Sequence, residues 1–535
     1  MIVIDALDEC RDEDPESAIL LVLGQLVSKI PGVKFFITSR PETHITTGFR
    51  GPLLKNATNI FILHNVEPHT IDNDIHCFFQ HELSKLTRRP QGWPTASHLD
   101  FLCQRAAGFF VYAVAMVNFL KHKFRLPSDQ LNIIMKSPEN TTHEGQSPLK
   151  VHQSLDSLYT SIFHIAFPEN ETNADDEATV RSVLSVVVLA TNPLSPSAIA
   201  ALVGLEPDVV LALLELIQSL LVLHNDCDHP VQPFHKSFPD FITDPTRCVD
   251  TRFYISPDYQ LELALECLKL MDKSLKRNMC SIPDYALNLD VEDLPERVEK
   301  SGIHGALEYA CRSCYKHLIG TADWTTDVVS ALHCFMEEKF TFWLEVLSVV
   351  GATGEAVHAL TTTIGWLNEV CLDLSSAVGP SNLIQTQITV SMGISPLHDL
   401  TTDCLHFVTE FFEAISQSAP HIYHSALQLA PQSSLVRKMY GQQIGSQTVR
   451  VVTGIPSSWD SCTASAGDIT PCCAVWSPCD SLVAVGSTSG VTIYDSNTLE
   501  SLSTFEHNKG VKKVKSLAFS PGGHLLACLL HLFYG

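Results

Sequence analysis

Met1-Ile2-Val3-Ile4-Asp5 is apolar at consecutive positions and ends on a carboxylate, and Val33-Lys34-Phe35-Phe36-Ile37-Thr38 repeats the pattern after an apolar, helix-like stretch at 17–30. A strand with one face in water alternates apolar and polar residues. One that is apolar without alternation has both faces covered, as in parallel strands joined by helical crossovers. Residues 1–64 are therefore restricted to an α/β sheet, with strands predicted at Ile2–Asp5, Val33–Thr38 and Asn59–Leu63. A right-handed crossover aligns the C-terminal ends of its two strands, so Asp5 and the Ser39-Arg40 pair are predicted at one rim, the side on which such sheets bind ligands.

Charge narrows the partners. Lys and Arg number 35 against 59 Asp and Glu, a net charge of −24 that repels phosphate backbones and anionic lipid alike. The run Lys509-Gly510-Val511-Lys512-Lys513-Val514-Lys515 is short and alternating, the pattern of a solvated strand edge. The 17 cysteines are scattered with no secretory signal ahead of them, which predicts reduced thiols and a cytoplasmic location. The longest uncharged apolar run, 106–120, is bracketed by Arg105 and Lys121 and falls short of the ~20 residues of a membrane span, so it is read as a buried helix.

Further along, Ile75, Phe78, Phe79 and Leu83 mark helical spacing between Asp72 and Met135, residues 137–150 are polar with two prolines, and helical spacing resumes at Leu155–Phe167. The acidic stretch Glu169–Glu177 is predicted as an exposed loop. Helices at Val183–Ala190, Ser197–Val203 and Asp208–Ser219, followed by short strands at Leu220–His224 and Val231–Phe234, give the order of a winged helix. Its third helix carries no basic residue through Glu215, which favours packing over DNA binding. Residues 255–445 read as helices, including Leu261–Leu275 and Cys404–Ile415. Near the C-terminus Ala474-Val475-Trp476-Ser477-Pro478 matches Leu517-Ala518-Phe519-Ser520-Pro521, with Trp476 and Phe519 separated by 43 positions, a propeller-blade period.

The acids that follow the first strand, Asp5, Asp8 and Glu9, form the arrangement with which ATPases hold magnesium and polarise water. Its usual companion is a glycine-rich loop, G-x-x-x-x-G-K-[ST], yet Gly-Lys occurs nowhere in the 535 residues. An isolated acidic string of this kind is commonly a strand end and a capped helix. Thr38-Ser39-Arg40-Pro41, one crossover later, favours nucleoside-triphosphatase ancestry.

Together the motifs at 3–10 (VIDALDEC), 35–45 (FFITSRPETHI), 106–113 (AAGFFVYA) and 235–248 (HKSFPDFITDPTRC), with the WD-like repeat at 473–535, resemble the fungal NACHT family of STAND signalling NTPases, of the nephrocystin-3-like N-terminal type. The resemblance implies a multidomain chain of α/β, mostly α and β parts. These are the C-terminal part of a P-loop NTPase sheet at 1–64, a helical domain at 65–136, a linker at 137–150 and a winged-helix-like domain at 151–250. A helical region at 251–446, a linker at 447–470 and an incomplete β-propeller at 471–535 complete the layout. It also implies that Asp5 holds the magnesium shell, that Asp8 or Glu9 orients the hydrolytic water and that Arg40 reads the terminal phosphate, a bidentate task suited to guanidinium. His235 resembles the winged-helix histidine that contacts bound diphosphate and locks the resting state. Gly108 falls in the helical-domain motif beside the adenine, where Phe110 replaces the proline of relatives.

The departures from the family pattern set the functional expectation. Phosphate clamping is most of phosphoryl-transfer catalysis, so a chain without the glycine-rich loop is expected not to hydrolyse nucleotide itself. A propeller needs about four to eight blades, and one repeat plus a fragment falls short, so both ends are read as truncated. The reading is a NACHT/STAND-type signalling protein, ancestrally an ATP-dependent switch. No cofactor is expected for this chain, with ATP or ADP and magnesium entering in a complete relative. The alternative is a non-enzymatic scaffold or regulator of full-length relatives. Partners are expected to be proteins, self-association included, with no nucleic acid and no membrane. Cys311, Cys314 and His317 have zinc-like spacing but lie in a helical run with no second pair, so they are assigned to core packing and no metal is expected.

Overall fold

The computed structural model describes residues 1–9, 19, 20, 22–24, 26, 32–40, 43–51, 54, 55, 57–61, 68–86, 89–121, 126–136, 148–169, 173–224, 226–319, 324–376, 381–444, 451, 453–459, 472–478, 482–487, 490–496, 501–506, 511–520, 523 and 526–532. The chain divides into two units, Met1–Glu67 with Ser465–Gly535, and Pro68–Ala464.

In the first unit, strand β1 (Ile2–Ile4) pairs in parallel with β2 (Phe35–Ile37), Ile4 lying opposite Ile37. Leu20 and Leu23, in the helical crossover stretch, share a small core with Leu7, Ile45 and Leu54, against which Ile4, Phe35 and Ile37 pack. Side chains alternate across a strand. Val3 and Phe36 accordingly point away from that core and stay more than half exposed, so among the described residues one sheet face is covered, where two were expected. The expected third strand differs too. Residues 59–61 form no strand, Ile60 and Phe61 are exposed, and residues 62 and 63 lie outside the described residues.

The C-terminal part of this unit is antiparallel. Cys473–Trp476, Leu482–Gly486, Gly490–Asp495 and Ser501–Glu506 pair in chain order, and Val511–Phe519 pairs with Leu526–Leu532. Each copy of the sequence repeat begins in a strand, Cys473–Trp476 in the first and Val511–Phe519 in the second. Ala484, Val491, Val514 and Leu517 form the core. A Cβ on Gly486 would stand 2.5 Å from Val514, so only glycine permits that approach.

The second unit is mainly helical. The region predicted as one helical pattern resolves into Pro68–Ser84, Ala96–Ala106, Phe110–Leu120 and Pro127–Lys136. The apolar run at 106–120 is not one helix: Ala107 takes a left-handed conformation (φ +46°) and closes the first helix onto Cys103 O, followed by Gly108 at φ +84°. Among the described residues no single helix is long and apolar enough to cross a membrane. Of the predicted linker, 137–147 lies outside the described residues, whereas Pro148 opens the helix Pro148–Ala166, a position where its missing N–H costs nothing.

The acidic stretch expected as a loop proves to be a helix start. Asn173 caps Ala174–Leu189 through a reciprocal pair with Asp176, and Asp175, Asp176 and Glu177 occupy the first turn, where the helix dipole favours negative charge. Helices Pro196–Val203 and Pro207–Leu216 follow. The ladder between Leu221–Val222 and Gln232–Pro233 comes next, shorter than predicted and extended by a bridge between Leu194 and Val231. Downstream helices include Tyr259–Ser274 and Ser381–Glu410, and the predicted Cys404–Ile415 helix breaks at Phe411 before Phe412–Gln417.

Residues 453–459, inside the stretch expected as linker, are tied to the helical body. Gln432 N–H donates to Pro456 O at 3.0 Å and Ser433 N–H to Ser457 O at 3.1 Å. The Trp459 indole N–H reaches Asp403 at 2.6 Å.

Candidate functional site

The rim of the parallel sheet is built around the residue after β2. Thr38 N–H donates to Ile4 O at 3.0 Å, and Thr38 O accepts from Leu7 N–H at 2.9 Å. Its hydroxyl donates to the Asp5 carboxylate and accepts from Ala6 N–H at 2.8 Å. Ala6 is thereby held at φ +51°, a left-handed conformation that costs a non-glycine residue about 1–2 kcal/mol. That kink turns the chain off β1 into the tight turn Leu7–Glu9 and swings Asp8 beneath the end of β2.

There Asp8 meets Arg40. One carboxylate oxygen accepts from Arg40 N–H at 2.9 Å and the other lies 3.4 Å from Arg40 Nε. The two groups differ in exposure: the Asp8 side chain is 3% accessible and that of Arg40 43%. Asp5 is exposed on the same rim, and the Glu9 side chain lies outside the described residues. A carboxylate only accepts hydrogen bonds, so its natural companions are N–H groups and cations, and here both come from one arginine. Asp8→Ala is expected to cost about 1–2 kcal/mol, because a backbone N–H loses its acceptor. Arg40→Ala should cost less than about 1 kcal/mol, since the exposed half of the ion pair contributes little. Urea titration of the two variants would check the order, and equal costs would contradict it.

His235 belongs to the second unit and is described there alone. It follows the ladder strand Gln232–Pro233 and precedes the short helix Ser237–Ile242. Ser237 N–H donates to His235 Nδ1 at 3.1 Å, so neutral His235 carries its proton on Nε2. Ser237 Oγ stands 2.7 Å from that Nδ1 and 2.7 Å from the buried Tyr159 hydroxyl, on the helix Pro148–Ala166. Phe163, Phe238, Phe241 and Phe253 surround this hydroxyl chain with stacked and edge-on rings. Burial pushes the Tyr159 pKa up. The sequence motif marked His235, but not the tyrosine 76 positions upstream, for which no local pattern exists. Thr38 has no assigned role in the sequence motif. Its place one residue beyond an apolar strand was the available signal.

Gly108 and Phe110 sit at the junction of the helices Ala96–Ala106 and Phe110–Leu120, with the Phe110 ring edge-on to Phe78 at 5.9 Å. The zinc-like trio is interior. His317 places one ring nitrogen 2.7 Å from the Tyr309 hydroxyl and the other 2.6 Å from Gln260 Oε1, and burial lowers its pKa to about 4. Both nitrogens are thus engaged within the core. At the surface Asp272, Cys334 and Glu338 bring ligand-type atoms together, all exposed, and Lys339 lies 3.7 Å from Asp272.

A family model described as nephrocystin 3, N-terminal, matches residues 1–40, the stretch that holds β1, β2, Asp5, Asp8 and Arg40. Vegetative incompatibility protein HET-E-1 of Podospora anserina is 20% identical over 490 residues, covering 86% of this chain and 32% of the relative. The chain therefore spans about a third of the length of that curated relative. These two matches support a NACHT-like chain, similar at low identity to a fungal protein.

Proposed function

We propose that the chain acts in NACHT/STAND-type signalling as a descendant of an ATP-dependent switch and does not hydrolyse nucleotide by itself. The observation that carries this reading is the Asp8–Arg40 junction, in which an acid from the turn after one parallel strand meets a cation from the segment after the next. Such a rim suits magnesium–nucleotide chemistry, with Asp5 toward the metal, Asp8 or Glu9 toward water and Arg40 toward the terminal phosphate. His235, with Nε2 protonated, suits a donor to a diphosphate oxygen. In this proposal Asp8 is instead engaged by Arg40, and ATP or ADP with magnesium enters only where a glycine-rich loop is supplied. The winged-helix-like arrangement at 151–250 and the blade-like sheet at 471–535 are part of the same proposal, as packing and sensing modules. Proteins are its partners, in the cytoplasm.

The test follows from the name of the similar protein. Inducible expression of the chain in Podospora anserina, scored for vegetative incompatibility, is expected to change the strength of the reaction, and Arg40→Ala is expected to remove that change. No change with the wild-type chain would contradict a signalling role. A change that survives both Asp8→Asn and Arg40→Ala would favour the second reading, a non-enzymatic scaffold or regulator. The exposed apolar residues Tyr285, Leu287 and Leu289 favour that second reading.

A further inference from the structure

Between the helices Tyr259–Ser274 and Leu294–Lys300 the chain reverses the usual partition of side chains. Asn288 is buried at 8% exposure, while Leu289 beside it is 96% exposed and Tyr285 57%. Leu287 is exposed as well. Single exposed leucines need no explanation, but a polar residue turned in while three large apolar neighbours turn out does.

The inversion is enforced from below. The Asn288 amide donates to Ser348 O at 3.1 Å and Ser348 Oγ at 3.0 Å, and its carbonyl accepts from Ala419 N–H at 3.1 Å. Ser418 Oγ donates to Ala286 O at 2.6 Å. Tyr285, at φ +66°, lays its ring against His424 with centroids 4.4 Å apart. Turning Leu289 inward in place of Asn288 would break the Asn288 hydrogen bonds, which hold the loop in the conformation that displays it.

Around the apolar tip stand exposed carboxylates, Asp284, Asp290, Glu292 and Asp293, of which Asp284 lies 3.2 Å from His424 Nε2 and Asp293 pairs with Arg297 at 2.9 Å. We propose that the loop 284–293 is a docking knob for a protein partner whose apolar patch is flanked by lysine or arginine, the pattern of a basic amphipathic helix. Charge selects this occupant. A second copy brings the same acidic rim and the same net charge of −24, whereas a basic rim complements both. Rigidity helps, because a preorganised loop has little conformational freedom left to lose on binding.

The probe is a fluorescein-labelled amphipathic Leu/Lys helical peptide, titrated with the full chain at physiological salt, beside a scrambled peptide of equal composition. The wild-type chain is expected to bind the amphipathic peptide, with Leu289→Ser and Tyr285→Ser each weakening it about tenfold. Leu289 touches nothing that holds the fold, so an unchanged thermal melt for Leu289→Ser separates lost binding from lost structure. Equal binding of the scrambled peptide would reduce the attraction to net charge and overturn the proposal. So would wild-type affinity in Leu289→Ser, or no binding by the wild-type chain. Self-association that Leu289→Ser abolishes would replace the basic partner with a second copy, and would likewise overturn it.

Discussion

Replacing Asp403 with alanine is expected to cost the helical unit about 3–5 kcal/mol and to free the Trp459 indole, while residues 453–459 keep their backbone bonds from Gln432 and Ser433. Asp403 is 9% exposed and its carboxylate is shared among three donors. One oxygen accepts from Ser434 Oγ at 2.8 Å and Val436 N–H at 2.9 Å, and the other from the Trp459 indole N–H at 2.6 Å. Ser434 and Val436 are fully buried, so their donors have no water to turn to once the carboxylate is gone. Trp459→Phe is the control. It removes one donor and keeps a ring stacked on His406 and edge-on to Phe411, so it should cost about 1 kcal/mol. Urea midpoints for both variants decide the matter. Equal costs would mean that Asp403 does no more than hold the tryptophan.

The second large effect is a pH dependence centred on Glu345. This acid is the one charged residue of the helix Phe340–Val349, and burial pushes its pKa from 4.5 up to about 7, against the opposing pull of the Tyr423 hydroxyl, Asn278 N–H and Arg277. Asn278 N–H donates to it at 2.6 Å, and the Tyr423 hydroxyl donates to its other oxygen. The Arg277 guanidinium lies over the Tyr423 ring, 4.2 Å from its centre. A raised carboxyl pKa means that the folded chain holds a proton which the unfolded chain has released. The resulting stabilisation is fully present below about 4.5 and is lost as the pH rises through 7, a span worth about 3 kcal/mol. Glu345→Gln should remove that much of the slope between pH 4.5 and pH 7. A stability difference between wild type and variant that stays constant across this range would contradict the assignment.

What the sequence disclosed depended on the range over which each signal acts. β1 and β2 are runs of apolar residues closed by an acid or a hydroxyl, and parallel pairing brings the strand ends together, so the neighbourhood of Asp5, Asp8 and Arg40 was legible. The expected strand at Asn59–Leu63 was not secured by its composition, because an apolar run becomes a strand only with a ladder partner. Charge density misled at 169–177, since acids suit both solvated loops and first helical turns. The decisive sign was Asn173 three residues before Asp176. Asp403 and Trp459 are 56 positions apart, and no periodicity connects them. Glu345 did leave a trace, one acid inside the helix FTFWLEVLSV, where an unpaired charge would be costly. The Asn288–Leu289 inversion leaves none, because alternation tells which residues share a face and not which face is turned inward.

The proposed function holds that Asp8 is committed to Arg40 and that this chain does not turn over nucleotide. Steady-state release of phosphate from magnesium–ATP by the purified chain, measured beside Asp8→Asn, tests it most directly. The account predicts the same background rate for both proteins. Turnover by the wild-type chain that Asp8→Asn abolishes would contradict it and make the rim a working catalytic site.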